Sequence, residues 1–246
     1  MRILVTGSRG FIGHHLVAEL RRLGHAVWGL DLFHSQDEVT FSHRGDASDA
    51  CYARCDLADY RRLAQVIENW LPLDLVYNCA AEFGRWNGED TYEALWRVNV
   101  IGMKHVIRLQ EEHGFRLVHC SSSEVYGDWQ GLMRESVPQE HPIELFNDYA
   151  MTKAVNEQQI RNSARRYGTE SVVVRFFNIY GPGENYSPYR SVNCRFLYCA
   201  LRGWSFTVHR GHRRTSTYVD DAVRTLAAIA ERFIPGAVYN LAGQVE

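Results

Sequence analysis

The sequence predicts an α/β fold, a doubly wound parallel sheet with helices on both faces and a smaller C-terminal lobe. Three observations predict it. Short apolar runs alternate with amphipathic segments of helix length, a glycine-rich turn joins the first run to the first helix, and the spacing loosens after about Gly181, where prolines and glycines gather. Parallel neighbours need crossover connections, and a repeated strand–helix–strand order supplies them. The expected division is residues 1–180 for the sheet unit and 181–246 for the lobe.

Ile3 to Thr6 reads as a buried strand and Phe11 to Leu23 as a helix, since its apolar residues recur at three- and four-residue steps; Gly24 closes it. Ala26 to Asp31 is the next strand, followed by a polar loop and a short strand ending near Asp56. Leu63 to Leu71 is helical and Pro72 stops it. Leu75 to Cys79 and Leu117 to Ser121 are buried strands, separated by one helix over about Tyr92 to His113. A further helix covers about Tyr149 to Tyr167, and Ser171 to Phe176 forms a strand.

Composition excludes several classes. With 246 residues, 46% hydrophobic and 23% charged, the chain is an ordinary globular protein, not a disordered, fibrous or disulfide-stapled one. A formal net charge of −2 gives no broad basic field for nucleic acid or an anionic membrane. The basic stretch His209-Arg210-Gly211-His212-Arg213-Arg214 is local; it binds one anionic ligand or faces solvent. No apolar run approaches the ~18 residues of a membrane span. Cys51, Cys55, Cys79, Cys120, Cys194 and Cys199 lack metal-hairpin spacing and no His cluster completes a set, so no metal is expected. Met1 to Val5 runs into the glycine turn with no signal peptide ahead of it, and reduced cysteines in a cytoplasmic protein are the expectation.

Thr6-Gly7-Ser8-Arg9-Gly10-Phe11-Ile12-Gly13 lies between the first strand and first helix, its glycines spaced three and three. Small residues there let the backbone approach a pyrophosphate while the helix N-terminus faces its charge, the arrangement of a Rossmann dinucleotide site. Asp31 ends the next strand, about 20 residues on, where a carboxylate accepts hydrogen bonds from an adenosine ribose. That carboxylate also repels a 2′-phosphate, so NAD is expected over NADP; Arg9, in the loop, suits either a 2′-phosphate or the pyrophosphate. Tyr149 and Lys153 stand four residues apart in a helical segment, hence on one face. An ammonium beside a phenol favours the phenolate, so Tyr149 is expected to have a lowered pKa and to act as a base on a sugar hydroxyl.

The ordered set Gly7, Gly10, Gly13, Asp31, Asp56-Leu57, Asn78-Cys79-Ala80-Ala81, Asn99, Ser121 to Gly127 and Tyr149 with Lys153 resembles the extended short-chain dehydrogenase/reductase family. Arg175 to Gly183 is similar to a stretch of its nucleotide-sugar epimerases and dehydratases, and Arg214 to Asp221 matches a later signature. The resemblance covers essentially the whole chain. It implies that Asp56 and Leu57 border the adenine, that Asn78, Ala80 and Ala81 line the cofactor cleft with Phe11 and Ile12, and that Asn99 helps hold the active site. It makes Tyr149 the base, Lys153 its electrostatic partner and ribose ligand, and Ser122 a hydrogen-bond partner of the reacting sugar hydroxyl. Asn178 and Arg214 would reach the substrate's phosphates, with Arg190 in the substrate-side segment Asn185 to Arg190. A homodimer pairing through two helices per subunit, one of them carrying Tyr149 and Lys153, is implied as well.

Ser123-Glu124 bears on the reaction. Many dehydratases of the family carry Asp-Glu there, a pair that deprotonates carbon 5 and protonates the departing 6-hydroxyl; this chain has Ser123 in place of the Asp. Ser-Glu also resembles the GDP-mannose 4,6-dehydratases and the UDP-glucuronate decarboxylases. The first reading is a NAD-dependent nucleotide-sugar epimerase/dehydratase working through a 4-keto sugar, with Ser123 and Glu124 among its catalytic residues. A decarboxylase is the alternative, and Glu124 also suits a structural acid capping a loop. A non-catalytic dinucleotide sensor and a redox enzyme acting on small alcohols are readings of other classes. The chain's last strand, near Tyr239 to Leu241, is followed in the family by further elements, so a partial chain or an unusually small lobe is expected.

Overall fold

The structure, a computed structural model, describes residues 1–32, 51–187, 190–208, 211 and 214–243, with backbone alone for 85–87. His209, Arg210, His212, Arg213, Pro188 and Tyr189 lie outside the described residues, as does most of the polar loop after Asp31.

In chain order the elements are β1 (Arg2–Thr6), α1 (Phe11–Arg22), β2 (Ala26–Asp31), β3 (Tyr52–Arg54), α2 (Tyr60–Trp70), β4 (Leu75–Asn78), α3 (Arg85–Asp90) and α4 (Tyr92–Trp96). A π-helical turn (Arg97–Gly102) leads into α5 (Met103–His113), β5 (Arg116–Ser122) and a 3₁₀ turn (Ser123–Tyr126). Then come α6 (Val137–Glu140), α7 (Asp148–Tyr167), β6 (Ser171–Phe176), β7 (Ile179–Tyr180), α8 (Val192–Arg202), β8 (Thr217–Tyr218), α9 (Val219–Glu231) and β9 (Val238–Leu241).

Seven strands form one sheet in the order β3-β2-β1-β4-β5-β6-β9, every pair parallel. Alternation along the strands splits the core in two. Ile3, Val5, Val118, Val172 and Val174 face α1 and α9, packing on Leu16, Leu20, Val223 and Leu226. Leu4, Leu117 and Val173 face the other way, onto Leu63, Ile67, Val106, Ile107 and Ile160 of α2, α5 and α7. Strands buried on both faces read as unbroken apolar runs, which is why Ile3-Leu4-Val5 and Val172-Val173-Val174 look as they do.

Three details differ from the sequence expectations. The helix expected over about Tyr92 to His113 spans those residues but carries a π-helical turn in its middle, whose Gly102 sits so close to Leu57 that a Cβ there would lie 2.8 Å from the Leu57 Cβ. The helix α2 starts three residues before Leu63, because Asp59 caps it by accepting from the Arg62 N–H at 3.0 Å. The boundary expected at residue 181 does not part the sheet from the rest: α9 packs on α1 and β9 is a strand of the main sheet, while β7, α8 and β8 lie between β6 and α9 in the chain. No helix among the described residues is long and apolar enough to cross a membrane.

Candidate active site

The strand order reverses between β1 and β4, and in an open parallel sheet a ligand settles in the crevice beyond that switch point. A cleft of about 350 Å³ lies there, lined at one end by Gly7, Gly10 and Asp31 and at the other by Ser121, Tyr149, Lys153 and Arg190. Phe11, Ile12, Gly13, Asp56, Leu57, Ala80 and Ala81 complete its walls.

The glycine turn is packed backbone against backbone. Gly7 takes φ +66°, and a Cβ on it would lie 2.7 Å from the Ala80 nitrogen; a Cβ on Gly13 would run into the Gly7 carbonyl oxygen. Gly10 caps α1 without any side chain, and the first turn of α1 holds no acid, so the positive end of the helix meets the cleft unscreened by these residues. Asp31 accepts from the Arg9 N–H at 2.8 Å and the Leu32 N–H at 2.7 Å, which fixes a carboxylate at the end of β2. The Arg9 guanidinium lies 3.8 Å over the Tyr52 ring, against β3. Asp56 is held by Arg97 at 2.6 Å and by the Ala58 N–H at 2.9 Å, and the Leu57 carbonyl accepts from His105 Nδ1 at 2.8 Å.

Two asparagines brace the cleft from behind rather than lining it. Asn78, expected in the lining, turns into the core: its Oδ1 accepts from Thr6 Oγ1 at 2.6 Å and its amide nitrogen meets Met103 Sδ at 3.0 Å. Thr6 Oγ1 in turn accepts from the Ala80 N–H at 3.2 Å, so Asn78 acts on the cleft wall through Thr6. Asn99, buried in the π-turn, accepts from the Glu82 N–H at 2.9 Å and donates to the Glu82 carbonyl at 3.0 Å and to Thr152 Oγ1 at 3.2 Å. It ties the segment after β4 to α7.

The helix α7 is capped by Asn147, whose Oδ1 accepts from the Ala150 N–H at 2.8 Å. This start places Tyr149 and Lys153 one turn apart on the face that meets β5. Lys153 Nζ donates to the Cys120 carbonyl at 2.8 Å and lies 5.6 Å from the Tyr149 ring centroid. Ser122 lies beside Tyr149, close enough to lower the pKa of its phenol, and its hydroxyl accepts from the Glu124 N–H at 3.2 Å. Glu124 accepts from Asn147 Nδ2 at 3.2 Å, so its carboxylate is fixed beside the start of α7. Ser123 opens the same 3₁₀ turn.

The lowered Tyr149 pKa expected from the sequence is not what the structure holds. Burial pushes the phenol up to about 12, against the Ser122 hydrogen bond, which lowers it, and with the Glu124 charge, which adds to the rise. Burial also pulls Lys153 down to about 8. Sequence spacing reveals a neighbour; it does not reveal how little water surrounds the pair, and desolvation is the larger effect here.

On the lobe side, the Arg190 guanidinium lies 3.9 Å over the Phe83 ring in the cleft wall, with its pKa lowered by burial. Asn178 and Arg214 do not join it. Asn178 holds a left-handed backbone, φ +43°, and its amide donates to the Thr215 carbonyl at 2.8 Å, tying the segment before β8. Arg214 is exposed ahead of β8, outside the lining. Sequence reasoning missed Phe83 and Phe176 of the lining, for which the sequence carries no signal, and Glu157 and Arg175 beneath it. No group of three or more His, Cys, Asp or Glu among the described residues could hold a metal ion.

These residues fit a dinucleotide: a turn whose surface any Cβ would spoil, an uncapped helix N-terminus for a pyrophosphate, and a fixed carboxylate for a ribose. The comparisons agree. Residues 3–242 match the model of the NAD dependent epimerase/dehydratase family. The chain is 27% identical to a UDP-N-acetyl-alpha-D-glucosaminuronate decarboxylase of Bacillus cytotoxicus, over 100% of this chain and 76% of that protein. It is 32% identical to a dTDP-glucose 4,6-dehydratase of Mycobacterium tuberculosis, over 75% of this chain and 55% of that one. Among solved structures, a UDP-glucose 4-epimerase of Thermus thermophilus in complex with NAD superposes with a TM-score of 0.84 at 25% identity, covering 98% of this chain and 78% of that chain. NAD is the cofactor of this cleft, and the chain belongs to the NAD dependent epimerase/dehydratase family.

Proposed function

We propose that this chain acts on a nucleotide sugar, converting its C4 hydroxyl to a ketone and then processing the 4-keto sugar by epimerisation or dehydration. The observation that supports this best is the placing of Tyr149 and Lys153 at the end of the cleft opposite the glycine turn, with Ser122 beside Tyr149. NAD, when bound, supplies the acceptor for the hydride that leaves C4. Tyr149 takes the hydroxyl proton on its oxygen as the phenolate, against the burial that favours the neutral phenol, Ser122 orients that oxygen and the sugar hydroxyl together, and Lys153 stabilises the phenolate and holds a ribose. Arg190 meets a charged group of the substrate. Asn178 and Arg214 are left out of the binding set, the first because its amide is engaged at Thr215 and the second because it lies away from the cleft. A dinucleotide sensor would have no use for a base, a cation and an orienting hydroxyl set this way.

Decarboxylation is a second reading of equal standing. It is favoured by the likeness to the Bacillus cytotoxicus decarboxylase over the whole chain. In dehydration or decarboxylation Glu124, fixed through Asn147 beside Tyr149, is the group that handles a proton once the ketone is formed; in epimerisation it is structural. Mass spectrometry of products from a panel of UDP-glucose, dTDP-glucose, GDP-mannose and UDP-glucuronate, with catalytic NAD, is the test. Loss of water supports dehydration, loss of carbon dioxide decarboxylation, and an unchanged mass with an altered sugar by NMR epimerisation. Tyr149→Phe should lower turnover by roughly 10²–10⁴-fold while leaving NAD binding in place; turnover within a fewfold of the parent removes Tyr149 as base. The same reading carries a cytoplasmic homodimer paired through α7 and one further helix per subunit, which sedimentation analysis would test.

A further inference from the structure

The face of α7 that carries Tyr149 and Lys153 continues one turn further to Glu157, and the three residues meet three consecutive residues of β5. Lys153 Nζ donates to the Cys120 carbonyl at 2.8 Å, Ser121 Oγ donates to Glu157 Oε1 at 2.7 Å, and Ser122 lies beside Tyr149. Glu157 is 3% exposed and Arg175 0%. Arg175 grips the carboxylate with both edges of its fork, Nε to Oε1 at 2.9 Å and Nη2 to Oε2 at 2.7 Å, and its remaining nitrogen donates to Tyr126 Oη and the Glu135 carbonyl at 2.8 Å each. Tyr126 Oη donates on to Asn240 Oδ1 of β9 at 2.8 Å.

A buried ion pair is a poor device for stability, because desolvating both charges offsets most of their attraction. This pair has a second consequence: it puts a carboxylate, rigid on both oxygens, one helical turn from the Lys153 ammonium. We propose that Glu157 is the positioning residue of the Tyr149–Lys153 pair, holding Ser121 and thereby the end of β5 in register with α7, and standing as a fixed carboxylate one helical turn from the Lys153 ammonium. The inference rests on the proposed role of that pair. The other titratable groups around Lys153 are Cys79 on β4, His119 and Cys120 on β5, and Tyr149 on α7; those around Glu157 are Arg175 on β6 and Arg161 on α7, the latter 3.8 Å from Oε2. Burial lowers the Lys153 pKa, and Cys120, Cys79 and then Glu157 work against it, Glu157 being the carboxylate of the helical row.

The test reads Lys153 directly, in the cofactor-free protein, by its rate of acylation with acetic anhydride against pH, followed by mass spectrometry. In Glu157→Gln the midpoint should fall by roughly one pH unit from the parent's, the low end of the effect of a nearby opposite charge. In turnover, the alkaline limb of the kcat profile should move down by the same interval, with kcat lowered about tenfold and the KM for nucleotide sugar changed less than threefold. Ser121→Ala, which keeps the charge, should leave the midpoint in place. If Glu157→Gln does not fold, the double variant Glu157→Gln/Arg175→Met, which removes both charges of the pair, should still lower the midpoint, by less than the roughly one pH unit expected of the single variant. A midpoint unmoved in a folded variant, with only a lower melting temperature, overturns the proposal. That result is distinct from failure of the functional reading, which shows as Tyr149→Phe retaining turnover.

Discussion

The two sides of the cleft are built differently. On the side of α7, β5 and β6, charge is buried and every charged group is held: Arg175 makes four hydrogen bonds in a place without water, and Glu157 accepts on both oxygens. On the side of α8, apolar surface is exposed instead. Only Cys199 of α8 is buried, while Leu197 is 64% and Leu201 78% exposed, with Trp204 and Phe206 open beyond them. The first side has its geometry over-determined, which is what a proton-transferring pair requires; the second holds its shape through ring stacking such as Tyr186 on Tyr198, 4.1 Å between centroids.

The difference can be broken by removing one member of the rigid wall. Arg175→Met leaves the Glu157 carboxylate buried without its partner and should destabilise by about 3–5 kcal/mol, whereas Arg214→Met, at an exposed site, should change stability by under about 0.5 kcal/mol. Urea titration of both variants checks the contrast, and equal effects would erase it. Truncating apolar residues sharpens the same point more mildly. Leu226→Ala, 0% exposed between α9 and the sheet, should cost about 2–5 kcal/mol; Leu201→Ala should be close to neutral by thermal melting.

A smaller effect has the opposite sign. Lys153 titrates at about 8 in the folded protein against 10.5 when free, so the unfolded chain binds the extra proton and folding is penalised at any pH below that interval. The penalty is fully present below pH 8 and fades as pH rises through 8 to 10.5. Lys153→Met should therefore gain up to about 3 kcal/mol of stability at pH 7, losing that advantage towards pH 10.5, while turnover is abolished. Melting curves of parent and variant across that range should converge at the alkaline end; parallel curves would mean that Lys153 is not desolvated.

What the sequence made legible was whatever spacing alone determines. Gly7, Gly10 and Gly13 could be placed because a turn between strand and helix has few solutions, Asp31 because it ends the next strand, and Tyr149 with Lys153 because four residues make one helical turn. Orientation at strand ends was not legible: Asn78 looked like lining and faces Met103, since pairing partners decide which way the last residue of a strand points. The π-helical turn after Trp96 was not legible either, since spacing alone does not separate it from the α-helix on both sides. Glu157 was visible in principle, as the next member of the same helical row, but nothing in a sequence distinguishes a buried acid from the many that face solvent. Its partner Arg175 read as one letter of a longer motif, and its zero exposure depends on β9 arriving from far along the chain.

The hydrogen bond from Asn147 to Glu124 bears on how such enzymes diverge. Asn147 starts α7 with one atom of its amide and holds Glu124 with the other. The acid that would select among fates of a keto sugar and the first turn of the helix that carries the tyrosine therefore share a single side chain. A lineage that exchanges the acid alone disturbs the helix start, and one that exchanges the cap alone frees the acid. Change of reaction along this branch is expected to come in paired steps at residues 124 and 147, with intermediates of reduced fitness between them, so that outcomes of the chemistry are inherited as blocks rather than drifting residue by residue.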